Sequence, residues 1–357
     1  MCFFSDLCII AYSLRLCVSQ KSKTHKMNSF GTLFRISIFG ESHGAGIGIT
    51  IDGCPPGLPL SEEDFNTDLE RRKPGAKGTT PRKEDDLPEI ISGHFRGHTT
   101  GAPMTIMFRN KNIRSADYDN LVKTPRPGHS DFVAWKRFGG FNDHRGGGHF
   151  SGRLTLALVT AGVVAKKLIQ TVDINARLIA AGGNPDIENA VEEALAAGDS
   201  VGGLVECRAK NIPLGWGEPF FNSVESVISH LAFAVPAIKG IEFGSGFNAA
   251  SMKGSEHNDP ILDETGKTAT NNAGGITGGL TNGNEMVFRV AVKPTSSIGK
   301  QQKTWSIETQ KVETLEVKGR HDACIALRVP VVIEAITAIA LADMKLNFEK
   351  SDPTAKL

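Results

Sequence analysis

Residues 33–52 read LFRISIF-GESHGA-GIGITID, and the reading of this stretch decides the fold. Both flanks, 33–39 and 46–52, carry apolar and β-branched residues in alternation or in short runs, so the spacing predicts two strands. Between them lie Gly40, Glu41, Ser42, His43, Gly44 and Ala45. Glycine frees the backbone and adds no bulk, so Ser42 and His43 are expected where a ligand comes close. A polar turn facing water is the other reading of the same residues. The run Gly44-Ala45-Gly46-Ile47-Gly48 faintly echoes a dinucleotide-binding fingerprint, but that motif must open a helix. Here a strand and then Cys54-Pro55-Pro56-Gly57 follow. A Rossmann fold is excluded.

Further along, Ser61-Glu62-Glu63-Asp64 has the form of a capped helix start, and a helix over 62–72 would end at Lys73-Pro74-Gly75. Residues 88–110 read as strands broken by glycine turns, and 112–150 as loop. The strongest helical pattern is SGRLTLALVTAGVVAKKLIQ, 151–170, with Lys166 and Lys167 in its last turns. Helices are also predicted at 186–197, 222–235 and about 329–347, the last with Pro330 tolerated in its first turn. Residues 239–300 return to glycine-rich strands and turns. Strands and helices come in blocks, which favours α+β over a doubly wound α/β fold. With no repeat and no long linker, residues 27–350 are expected to form one domain, followed by a flexible tail at 351–357.

The chain has 357 residues with 40 Lys+Arg against 39 Asp+Glu, a net charge of +1. That balance argues against nucleic-acid and membrane-surface binders, which need a cationic excess. Any anion site must come from local clustering. The 39 glycines follow no three-residue period, which excludes collagen and implies many backbone-lined loops. Six cysteines are scattered without a C-x-x-C, so zinc ribbons and redox motifs are disfavoured and a reducing, cytoplasmic compartment is expected. Residues 1–26 lack a basic start and a clean cleavage site, and their apolar part is too short to span a bilayer. They are expected to be a disordered extension or the product of an upstream start, with Met27 opening the domain.

Several groups could carry chemistry. Arg71, Arg72, Lys73, Lys77, Arg82 and Lys83 are concentrated beside Gly and Thr, which suits a phosphate or carboxylate and equally suits a solvated face. Arg126-Pro127-Gly128-His129-Ser130-Asp131 puts an imidazole on a rigid turn beside an Arg. In Asn142-Asp143-His144-Arg145-Gly146-Gly147-Gly148-His149-Phe150-Ser151-Gly152-Arg153 a glycine loop runs into a helix, offering N–H groups to an anion. Asn271 to Gly279 and Lys293-Pro294-Thr295-Ser296-Ser297 add backbone and hydroxyl donors, and Arg320-His321-Asp322 precedes the last helix. His94 and His98 have no evident third ligand, so no metal site is expected.

Taken together, GESHGAGIGITIDGCPPG, LERRKPG, RPGHSDF, HRGGGHFSGR, NNAGGITGG, KPTSSI and GRHDACIALRVPVVIEA resemble chorismate synthases, from about Met27 to the C-terminal region. The resemblance implies a single α+β unit, helices layered between antiparallel sheets in a β-α-β sandwich, assembled as a homotetramer. It implies a 1,4-elimination of phosphate and a proton from 5-enolpyruvylshikimate 3-phosphate, giving chorismate for aromatic amino acid biosynthesis and requiring reduced FMN. NADPH would enter only indirectly. With no reductase module in the chain, an external flavin reductase is the expected partner.

Carried over by residue, the resemblance makes His43 the acid toward the departing phosphate, His129 a proton donor beside the flavin, and Asp322 part of a proton relay. Ser42, Arg72, Lys77, Arg82, Arg126 and Arg153 would hold substrate. His149, Phe150, Ser151, Pro236, Ala237, Gly278, Lys293, Pro294, Thr295, Ser296, Ser297 and Arg320 would contact the flavin. The chain departs from the family in three places. Lys77 stands where Arg is usual, HFSGRL replaces RSSARE, and Val235-Pro236-Ala237 replaces Ile-Asn-Ala. Losing permanent charge and an amide there is expected to alter flavin affinity rather than the reaction. The rival readings are a flavin-free phosphate-ester hydrolase using His43 and His129, and a flavin binder without turnover.

Overall fold

The computed structural model describes residues 28–79, 85–111, 121, 123–317 and 321–351. The extension 1–26, the tail beyond Ser351, Arg82 and Arg320 lie outside the described residues. A five-stranded antiparallel sheet is built from β1 (Ser29–Phe30), β2 (Arg35–Gly40), β3 (Gly46–Asp52), β4 (Glu89–Ser92) and β5 (Met104–Arg109), in the order β1-β2-β3-β5-β4. The predicted strand pair around GESHGA is its centre, with Ile38 opposite Ile49 and Ile49 opposite Ile106. A four-stranded antiparallel sheet is built from β6 (Asp173–Ala181), β7 (Gly203–Lys210), β8 (Ile238–Phe243) and β9 (Met286–Val292), in the order β8-β9-β7-β6.

The helices are α1 (Asn66–Arg72), α2 (Asp131–Arg137), α3 (Thr155–Leu168), α4 (Ile187–Ala196), α5 (Val224–Ala234) and α6 (Pro330–Ser351); α1, α3, α5 and α6 pack together between the sheets, α4 lies against β6, and α2 buries only Ala134. The longest contact is between α3 and α6; α3 also packs on β3, and α6 on β6 and β7. Every residue of α3 from Thr155 to Ala165 is buried, and so is every residue of α6 from Val331 to Met344. A helix apolar around its whole circumference belongs in an inner layer. Gly162 sets the spacing, since a Cβ there would fall 2.4 Å from the Ala335 Cβ. The observed fold is therefore α+β with helices between antiparallel sheets.

Two buried carboxylates tie the layers. Glu334 on α6, 1% exposed, accepts both terminal nitrogens of Arg71 at 2.7 Å, Lys166 at 3.2 Å and the Ala176 amide at 2.9 Å. Asp343 accepts the backbone amides of Thr32, Leu33 and Phe34 at 2.7–3.1 Å, fixing the β1–β2 turn on the last helix. Helix boundaries follow the sequence signals closely. Ser61 donates its amide to Asp64 Oδ2 at 2.7 Å, as a capped start requires, although the first turn, Glu62–Phe65, is 3-10.

Candidate active site

The GESHGA turn is held from below by Asn110 at the end of β5. Its Nδ2 donates to Glu41 O at 3.0 Å and Gly44 O at 2.9 Å, and the Ser42 amide donates to Gly148 O at 3.1 Å. Ser42 and His43 are consequently buried, at 2% and 3% exposure. The glycines opposite explain themselves by close approach. Gly146, Gly147 and Gly148 all take positive φ, +59°, +82° and +53°, a region costly for any residue with a Cβ. A Cβ on Gly146 would lie 2.6 Å from His43 Nε2 and 2.8 Å from Ser42 Oγ. A Cβ on Gly147 would lie 3.6 Å from His129 Nε2. Successive glycines of one loop thus border the two imidazoles.

Beside this turn is a buried cluster of guanidinium groups. Arg153 donates to Asn110 Oδ1 at 2.9 Å and pairs with Asp86 Oδ1 at 2.9 Å. Arg72, 4% exposed, donates to Thr155 Oγ1 and to the Gly152 and Arg153 carbonyls at 3.1–3.2 Å, with Asp86 Oδ2 at 3.7 Å. Arg328 Nε donates to the Arg72 carbonyl at 2.9 Å, and its Nη1 is 3.9 Å from Asp322 Oδ2. Burial pushes the Arg72 guanidinium down to about 9, aided by Arg328 and opposed by Asp86, so it stays charged at neutrality. Burial also lowers Arg328, against the pull of Asp322 and Asp86. Three cations face two carboxylates in one desolvated place, an arrangement that suits an anion.

The RPGHSD loop closes on itself. Asp131 accepts the Arg126 amide, Nε and Nη2 at 3.2, 2.7 and 2.9 Å, and its Oδ1 is 2.5 Å from His129 Nδ1. Burial would raise the Asp131 carboxyl, but the bonds from Arg126 and His129 outweigh it and hold it well below the usual range. Arg126 is thereby turned inward, its Nη1 on Ser297 Oγ at 3.0 Å. The KPTSS loop docks on this turn: Ser296 Oγ donates to Gly128 O at 2.7 Å and receives Lys293 Nζ at 2.7 Å. The Lys293 amide donates to Ala237 O at 2.9 Å. Burial, with Lys239 nearby, lowers the Lys293 ammonium. The buried Thr295 Oγ1 has no hydrogen-bond partner among the described residues.

Other sequence-predicted residues are placed differently. Both ring nitrogens of His149 are engaged, by Gly40 O at 2.8 Å and Asn28 Oδ1 at 3.0 Å. Phe150 is 40% exposed and tilts against Phe138, and Ser151 Oγ accepts the Arg153 amide at 3.3 Å. Lys77 pairs with Glu192 on α4, at the surface. Pro236 and Ala237 follow the C-terminus of α5 with the KPTSS loop, whereas Gly279, next to Gly278, accepts the Val224 amide at its N-terminus. These lie about 16 Å apart along the helix. Asp86, Asn110, Asp131 and Arg328 were not singled out by the sequence. Asp131 and Arg328 lie inside quoted motifs, and the fold alone reveals Asp86 and Asn110.

The chorismate synthase family model matches residues 34–346. The chain is 63% identical over 331 residues to a chorismate synthase of Chitinophaga pinensis, covering 92% of this chain and all of the relative. A chorismate synthase of Dehalococcoides mccartyi is 44% identical over 352 residues, covering 90% of this chain and 97% of its own length. A chorismate synthase crystal structure superposes with a TM-score of 0.67 at 27% identity, over 92% of this chain and 96% of that one.

Proposed function

The chain belongs to the chorismate synthase family, and from that premise we propose how its residues divide the work. It is a lyase acting on a phosphate ester, converting 5-enolpyruvylshikimate 3-phosphate to chorismate in aromatic amino acid biosynthesis. The proposed chemistry is a 1,4-elimination in a homotetramer, with reduced FMN from an external reductase and NADPH only upstream. Residues 27–350 form the catalytic domain and act in the cytoplasm; no helix of the described residues is long and apolar enough to cross a membrane.

One observation carries the reading: successive glycines border His43 and His129 beside a buried triple-arginine cluster. Arg72 and Arg153, with Arg328, hold the anionic groups of the substrate, and Ser42 orients it. His43 delivers a proton from Nε2 to the departing phosphate oxygen. His129 hands on a proton through Nε2, and Asp322 receives the one removed from the ring. Because Arg126 is engaged by Asp131 and Ser297, its part is to stiffen the His129 loop.

The KPTSS region fits a phosphorylated flavin. A buried hydroxyl without a partner among the described residues, Thr295 Oγ1, stands near a lysine lowered by burial and a second ammonium. Lys293 to Ser297, with Pro236 and Ala237, would hold the cofactor. When bound, reduced FMN supplies an electron reversibly to the substrate and recovers it.

An anaerobic assay with reduced FMN and 5-enolpyruvylshikimate 3-phosphate tests this. Chorismate and phosphate should appear together, only with flavin. Phosphate release without flavin would favour the hydrolase, and tight binding without product a non-catalytic flavin protein. His43→Ala, His129→Ala and Asp322→Ala should each lose at least about 100-fold in kcat.

A further inference from the structure

We propose that Asn110 is a positioning residue that sets the spacing between the proton donor and the anion grip. Its single carboxamide holds the turn of Ser42 and His43 at one end and the guanidinium of Arg153 at the other. This deepens the reading of His43 and Arg153 given above and rests on it.

Asn110 follows the last residue of β5, and its backbone amide carries the ladder one bond further, donating to Ala45 O at 3.3 Å. From there the side chain takes over. Nδ2 donates to Glu41 O at 3.0 Å and to Gly44 O at 2.9 Å, while Oδ1 accepts Arg153 Nε at 2.9 Å. The partners themselves decide which end of the amide is which. Backbone carbonyls can only accept and a guanidinium can only donate, so the NH2 group faces the turn and the oxygen faces Arg153. One residue thereby engages the carbonyls of Glu41, Gly44 and Ala45. Aspartate at 110 would have only acceptors to offer the turn, and leucine would leave the Glu41 and Gly44 carbonyls and Arg153 Nε unmatched.

Nε is the root of the guanidinium fork, so its bond to Oδ1 fixes the plane in which the terminal nitrogens lie. One of these, Nη1, is 2.9 Å from Asp86 Oδ1. Arg72 donates to the Arg153 carbonyl at 3.2 Å, which refers a second arginine of the cluster to the same residue. On the other side of the carboxamide, Ser42 and His43 are buried. The turn cannot shift against the arginine cluster without breaking bonds to Asn110. A donor and the anion it protonates must be held closely, since a misplacement of about 1 Å can cost about 100-fold in rate.

Kinetics of the full-length protein, calorimetry with inorganic phosphate and urea unfolding test this together. In Asn110→Ala, kcat is expected to fall about 100-fold. The Kd for inorganic phosphate should rise about tenfold, as expected for losing one bond to a charged group. A residue that only supported the fold would lower the urea midpoint and leave the phosphate Kd of the folded protein at its wild-type value; that outcome overturns the proposal. In the His43→Ala background, Asn110→Ala should cost little further kcat, because the turn no longer carries the acid. Full additivity of the two kcat losses would show that Asn110 does not act through His43 and would also overturn it. Should Asn110→Ala fail to fold, crystals of the unsubstituted protein soaked in inorganic phosphate decide: the carboxamide should still bridge the turn and Arg153, and its release from either end overturns the proposal. If instead His43→Ala turns over like wild type, or the unsubstituted protein does not bind phosphate, the underlying reading of that group falls and takes the proposal with it.

Discussion

Gly146 lies against the His43 ring more closely than any residue with a side chain could, since its added Cβ would meet Cδ2 at 2.5 Å and Nε2 at 2.6 Å. At Gly147 the corresponding approach to His129 is 3.5 Å, an ordinary contact. Both have positive φ, +59° and +82°, so alanine strains each by about 1–2 kcal/mol. Gly146→Ala should therefore lose far more kcat than Gly147→Ala, and more thermal stability as well, since overpacking against buried His43 and Ser42 adds about 1–3 kcal/mol to the backbone strain. Equal kcat losses in the pair, measured beside their melting curves, would refute the crowding of His43.

Arg72, Arg153 and Arg328 against Asp86 and Asp322 leave the described cluster one positive charge in excess, in a place where Arg72 is pushed down to about 9 by burial. An anion should relieve that cost. Inorganic phosphate is expected to raise the melting temperature beyond any effect of sodium chloride at equal ionic strength. At a hundredfold excess over its Kd the gain would be about 2.7 kcal/mol. Identical curves in the two salts would mean that the cluster is already neutralised.

The strands around GESHGA, the longer helices and the glycine loop were legible in the sequence because each depends on local spacing and on turns that only glycine can make; the helix Asp131–Arg137, inside a stretch read as loop, was not, being only seven residues long with one buried residue. The strands Asp173–Ala181 and Gly203–Lys210 were not. Glu206 and Arg208 interrupt the apolar pattern of the second, and Glu206 is buried with Arg208, two residues along the same strand, and Arg289, opposite it on the neighbouring strand, both paired to it. The same limit applies to the site. Arg126 reads as a free cation beside His129, and only its side-chain direction shows it spent on Asp131. Asp86 carries no signal in the sequence, and only the closing of Arg72 and Arg153 over it shows its place in the site.

Acid should destabilise the protein through carboxylates that the fold holds ionised. Arg145 keeps Asp143 low; Asp131 and Glu206 are low because their arginine partners outweigh burial. A depressed folded-state pKa contributes stability above the unfolded value, about 4, and that contribution is lost as pH falls through the folded one. The melting temperature should hold between about pH 5 and 7 and drop below about pH 4. Asp131→Asn should flatten that acid limb, and a limb as steep as wild type would remove Asp131 from the set.

Glu334→Gln should reduce stability by about 3 kcal/mol, the low end for breaking a buried ion pair, because Arg71 is 40% exposed and part of its charge can reach water. Urea unfolding would report it as a lower midpoint at unchanged slope. A loss below about 0.5 kcal/mol would mean that the pair behaves like a surface one.

The bond from Asp343 to the Thr32–Phe34 turn spans 309 to 311 residues of chain. While a ribosome is still making the protein, those three amides have no carboxylate to receive them, and α6, which fills the middle layer, has not yet been synthesised. The first sheet must therefore wait, partly unshielded, until α6 has been made. Contacts so far apart in sequence make folding slow and the waiting intermediate prone to association, so this enzyme should depend on chaperones more than its melting temperature alone would suggest.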